Sequence, residues 1–135
     1  MCLIKLEDKP RIADEPILVY KVLNYRNGKY YSPFEEYEYH QGLNSPDMTA
    51  KYYINVEEIT GGYLHAYIDV RMAIVNRNSL AHSDLSQRHC NGYRGDRCLY
   101  QVVKMYIPEG TEYWIGRDED IAAKKLYWPE ENNDQ

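Results

Sequence analysis

Ile17-Leu18-Val19-Tyr20-Lys21-Val22-Leu23 is apolar at almost every position, on both sides of a period-two alternation. A run this short, with β-branched residues at Ile17, Val19 and Val22, reads as a central strand covered on both faces. A second stretch, Leu99 to Ile107, alternates instead. Leu99, Val103, Met105 and Ile107 face one way, and Tyr100, Val102, Lys104 and Tyr106 the other. Together the two predict an α+β fold: a single β-rich domain, with a mixed or antiparallel sheet and one or two short helices.

Downstream of the first strand, Asn27-Gly28 lies between Tyr25 and Tyr30-Tyr31. Asn-Gly supplies the positive φ angles of a type I′ turn, so a hairpin is expected. Glu35 to Tyr39 alternates and predicts a short edge strand or extended loop. Residues 40–50 carry turn chemistry in Gly42, Asn44, Ser45, Pro46 and Asp47. Tyr52 to Ile59 has weak strand character. Tyr63 to Ile68 alternates again, with Leu64, Ala66 and Ile68 opposite Tyr63, His65 and Tyr67. Asp69 is placed to cap a short helix over 69–77, with Val70, Ala73 and Ile74 on one face. Residues 76–97 are polar and read as a surface loop. Thr111 to Ile115 suggests a strand, and Ile121 to Trp128 a strand or short helix. Before the first strand, Pro10 and Pro16 predict a loop. One globular domain over 1–128 is expected, with a polar, disordered tail over 129–135.

The length of 135 residues suits one domain whose core needs no disulfide or metal staple. Acidic residues number 21 against 16 basic, a net charge of −5. That balance repels phosphate backbones and anionic lipid surfaces, so neither nucleic acid nor membrane is expected as a partner. The first residues are too charged for a signal peptide, and three cysteines (Cys2, Cys90, Cys98) fit free thiols in a reducing compartment. The expected location is cytoplasmic. Self-association stays open.

Tyrosine is the outlying residue: 15, against one Phe and two Trp. It suits half-buried sheet faces, and it is also enriched at contact surfaces. Tyr30, Tyr31, Phe34, Tyr37, Tyr63 and Tyr67, with His65, form the expected binding surface for a protein or small-molecule ligand. Glu35, Glu36 and Glu38 among these rings also suggest a sugar-stacking platform. His65 between Tyr63 and Tyr67 is a candidate acid or base, against the plainer role of a hydrogen-bonded sheet histidine. His82, His89, Cys90 and Cys98 lack the paired spacing of a zinc site, so no metal is expected. No cofactor motif is found, and Arg94-Gly95-Asp96 reads as turn residues.

Several phrases taken in order resemble a group of small uncharacterised proteins of gut bacteria and their prophages. They include Met1-Cys2-Leu3, the first strand, Tyr31-Ser32-Pro33-Phe34, Gly62-Tyr63-Leu64-His65-Ala66-Tyr67, Lys104-Met105-Tyr106-Ile107-Pro108-Glu109-Gly110-Thr111-Glu112-Tyr113 and Ile121-Ala122-Ala123-Lys124-Lys125-Leu126. The resemblance implies an intracellular, phage-derived origin and no assigned activity. Around Tyr20-Lys21 the chain is also similar, at fold level, to ADP-ribosyltransferase-type domains, though Lys21 stands where Arg or His often sits. That likeness implies a degenerate transferase using Tyr20, Lys21 and His65. Met1-Cys2-Leu3-Ile4 resembles the start of glutamine amidotransferase domains, which implies an N-terminal cysteine hydrolase using Cys2 once Met1 is removed. The first expectation from composition is a non-enzymatic binding or accessory protein. The two enzymes are the alternatives.

Overall fold

The computed structural model describes residues 3–33, 37–46, 58–59, 63–87 and 99–130. In chain order the elements are β1 (Leu3–Ile4), β2 (Arg11–Ile12), β3 (Ile17–Arg26), β4 (Lys29–Tyr31), β5 (Glu38–Tyr39), β6 (Gly42–Asn44), β7 (Glu58–Ile59), β8 (Leu64–Tyr67), α1 (Val70–Gln87), β9 (Leu99–Ile107), β10 (Glu112–Ile115), β11 (Asp120–Ala123) and β12 (Leu126–Trp128). Ten strands make one sheet in the order β2-β10-β11-β8-β3-β9-β12-β6, with β4 on β3 and β5 on β4. β1 and β7 pair separately. Each of these pairings is antiparallel.

The two strands expected at the centre are neighbours there. β3 pairs with β9 from Ile17↔Ile107 to Tyr25↔Leu99. This register puts Val19 and Leu23 on one face with Met105 and Ile107. All four are fully buried. Leu64, Ala66, Ile121, Ala123, Leu126 and Trp128 complete that core. Each large aliphatic chain buried there contributes roughly 1.5–3 kcal/mol. The hairpin expected at Asn27-Gly28 is present, with φ of 50° and 80°.

β9 takes one edge of β3 along its length. β8, at Tyr20↔Tyr67, and β4, at residues 24–26, therefore share the other edge. After β5 the chain turns at His40 and Gln41 and delivers β6 to β12, on the far side of β9. The strands thus curl round one end of the core. Asn44, fully buried, holds the turn: its Nδ2 donates to the carbonyls of His40 and Gly42, and its Oδ1 accepts the His40 N–H at 3.1 Å. A small second core of Leu3, Tyr63, Trp114 and Ala122 forms where β1 crosses the opposite face. Main-chain bonds from Leu6 to Ile115 and from Arg117 to Ile4 fasten β1 there.

α1 packs on β3, β8 and β9, on the face away from the main core. Asp69 caps it as expected, accepting the Arg71 N–H at 2.8 Å. The helix runs to Gln87, so the expected surface loop begins as helix over 76–87. The Asn and Ser residues there weaken intrinsic propensity, and docking on the sheet overrides it. Ala73 is fully buried, but Val70 and Ile74 are each 37% exposed, which corrects the expected apolar face. The small Ala73 lets the helix lie close to the sheet and so sets its rotation. Two further corrections concern pairing: β2 lies in the segment that Pro10 and Pro16 marked as a loop, and β6 lies within the expected turn. Residues 121–128, expected as strand or short helix, form the strands β11 and β12. No helix among the described residues is long and apolar enough to cross a membrane.

Candidate binding surface

The tyrosines divide by register. Tyr25, Tyr30 and Tyr39 sit side by side across β3, β4 and β5 on the main-core face. The Tyr25 and Tyr30 rings are 4.8 Å apart, and Tyr30 meets Trp128 edge-on at 5.0 Å. Tyr37 meets Tyr39 edge-on at 4.8 Å, and its hydroxyl donates to the Ser45 carbonyl. Burial pushes the Tyr37 phenol above its usual pKa. Tyr31 lies on the opposite face, paired with Asn24, under the Arg26 guanidinium at 4.5 Å.

Tyr63, His65 and Tyr67 occupy that opposite face as well, on β8. Tyr63 is 5% exposed. Its hydroxyl donates to Glu112 Oε2 at 2.7 Å and accepts the Trp114 indole N–H at 3.3 Å. Lys124 Nζ sits 4.7 Å from the ring centre. Tyr67 is half-buried; burial raises its pKa, and the Asp120 and Asp118 carboxylates add to the rise. Lys21, by contrast, points to the main core. Its ammonium donates to the His65 main-chain carbonyl at 2.6 Å and lies 5.3 Å from the Tyr39 ring centre. The structure therefore brings Lys21 to the backbone of His65, with the two side chains on opposite faces of the sheet. Tyr20 pairs with both Tyr67 and Lys104. His82 is exposed on α1. Cys2, Phe34, Glu35, Glu36, His89, Cys90, Cys98 and the Arg94-Gly95-Asp96 tripeptide lie outside the described residues.

One group of residues emerges only from the strand order. Leu18 pairs with Tyr106, Tyr106 with Tyr127, and Tyr127 with Leu43. Directly paired residues share a face, so the four form one row across β3, β9, β12 and β6. This is the face on which α1 lies, beyond the part it covers. Val22, under the helix, is 3% exposed, whereas Leu18 is 37%, Tyr127 43% and Leu43 48% exposed. The alternation in Leu99–Ile107 places Tyr106 with Lys104, and that half is readable in sequence. The rest needs the pairings of β12 and β6, both too short to announce themselves.

Asp120 stands at the start of β11, paired with Tyr67, and is 7% exposed. Its Oδ1 has no hydrogen-bond partner among the described residues. Burial raises its pKa, opposed by main-chain N–H donors from Asp120 and Asp118. Gly116 backs onto it: an added Cβ would overlap the carboxylate and come within 2.7 Å of Leu3 Cγ.

These features define an antiparallel α+β domain with a helix on part of one sheet face and a row of two leucines and two tyrosines on another part of it. Comparison with family models, with curated proteins and with solved structures finds no match.

Proposed function

We propose that this chain is a non-enzymatic binding or accessory protein of the cell interior, and that its contact surface is the sheet face beside α1. The observation that carries this reading is the row Leu18, Tyr106, Tyr127 and Leu43, in which Leu18, Tyr127 and Leu43 are exposed and Tyr106 is half-buried. Large apolar side chains set in one contiguous row, beside a part of the same face already covered by a helix, are the usual mark of a contact site. Tyrosine suits that role because it adds apolar area and a polar tip with few rotors to freeze. Of the tyrosines expected for binding, Tyr31 and Tyr67 share this face by register, while Tyr30 and Tyr37 serve the core.

The test is site-specific photocrosslinking in cells of the source organism. A benzophenone amino acid at Leu43 should give a discrete adduct identifiable by mass spectrometry. The same group at Ile12, exposed on β2 at the other end of the sheet, should not. Equal labelling from both positions, or none from position 43, would end this reading.

A further inference from the structure

Resting on that reading, we infer that the partner meets this face through an extended segment carrying both acidic and apolar residues. The sequences of β3, β9, β12 and β6 contain no acidic residue. Among the described residues in register with the row's face, the flanking charges on β9 and at the entry to β12 are cationic. Lys104 lies two residues before Tyr106 on β9, and Lys125 two residues before Tyr127 at the entry to β12. Both are exposed, and neither is ion-paired among the described residues. Because β9 and β12 run antiparallel, the two lysines stand on opposite sides of the row. Each is displaced from it by about 7 Å along its strand.

The row itself crosses four strands, about 14 Å at the usual inter-strand spacing. That is the reach of about four residues of extended chain. A segment laid along it presents alternate side chains to the sheet. Apolar ones rest on the row, and the carboxylates of the intervening residues lie above it, within reach of the long Lys104 and Lys125 side chains that stand on either side. On a protein of net charge −5, this is where an acidic partner is attracted and the rest of the surface repels it. A nucleic acid fits less well. Two lysines neutralise few phosphates, and the two leucines offer a base no hydrogen bond and no stacking ring.

The experiment is fluorescence polarisation with three labelled probes: a short peptide alternating leucine and glutamate, its leucine–lysine counterpart, and oligo-deoxythymidine. The proteins are the wild type, Lys104→Glu/Lys125→Glu and Leu43→Asp/Tyr127→Asp. The wild type should bind the glutamate peptide best, at least about tenfold tighter than the lysine peptide, with affinity falling as salt rises. Lys104→Glu/Lys125→Glu should invert that preference, a gain that an unfolded variant cannot mimic. Preference for the oligonucleotide or the lysine peptide, binding of no probe, or indifference to the lysine reversal overturns the acidic-segment inference. If Leu43→Asp/Tyr127→Asp abolishes binding while the lysine reversal leaves it unchanged, the contact face stands and only the partner's charge was misjudged. Undiminished binding by Leu43→Asp/Tyr127→Asp removes the contact face itself.

Discussion

Replacing Gly116 with alanine should destabilise the protein through one identifiable overlap. Gly116 does not sit in the left-handed region, so its backbone accepts alanine and the cost is steric. The new methyl would run into the Asp120 carboxylate and sit 2.7 Å from Leu3 Cγ. Neither neighbour yields easily. Asp120 is buried and its backbone is fixed by the β8–β11 pairing. Leu3 is fully buried, and its strand is fixed by the Lys5↔Gly116 bridge and the Arg117-to-Ile4 bond. Relief therefore requires lifting β1 from the sheet. Overpacking of this kind costs about 1–3 kcal/mol, which in a chain of this size lowers Tm by about 4 °C per kcal/mol. Urea unfolding followed by circular dichroism gives the loss, and hydrogen exchange at Leu6 and Arg117 locates it. In an Asp120→Ala background the loss should shrink, with a coupling energy of about 1 kcal/mol or more. A Gly116→Ala protein within about 0.5 kcal/mol of wild type, or the same loss with and without the Asp120 carboxylate, would refute the steric account.

Asp120 also predicts a pH dependence. Its pKa in the folded chain lies above the ordinary 3.8, so the native state holds the proton more tightly than the unfolded one. Its contribution is therefore most favourable below 3.8 and is lost as pH rises through the raised folded value. Asp120→Asn should raise the unfolding midpoint at neutral pH, and the gain should vanish at acid pH; a gain independent of pH would contradict this. Tyr63→Phe removes the acceptor of the buried Trp114 N–H and should cost about 1–3 kcal/mol in urea unfolding. Tyr127→Phe, on the exposed row, should cost almost nothing by the same measurement, and equal losses would show that exposure does not separate the two tyrosines.

The central strands were readable because apolar periodicity and burial coincide in them. β3 is covered by the core on one side and, around Val22, by α1 on the other, and reads as apolar on both. Asn27-Gly28 was readable because its turn demands positive φ. Where pairing decides, local pattern is silent. Gly42–Asn44 reads as turn because Gly and Asn are turn formers, yet β12 supplies it with a partner. The Ile121–Trp128 stretch resolves into two strands because β8 and β9 each offer an edge to it. The helix was half legible: Asp69 marked its start, but Asn76 to Ser83 suggests loop until the sheet beneath is known. The site divided in the same way. A tyrosine count cannot distinguish Tyr63, enclosed with Glu112 and Trp114, from Tyr127 in the open. Their burial depends on which strand lies alongside.

The pairing of β3 with β9 joins the first long apolar strand to one that leaves the ribosome only after most of the chain has been made. Until then Ile17–Leu23 has its hairpin and, once they emerge, β8 and α1 to shelter it, and the edge that β9 takes stays open. A nascent chain in this condition presents an uncovered, β-prone edge, the kind of surface on which chains associate wrongly. Contacts so far apart in sequence also slow productive collapse. Yield in rapid overexpression should therefore depend on chaperone capacity more than on the thermodynamic stability of the finished molecule.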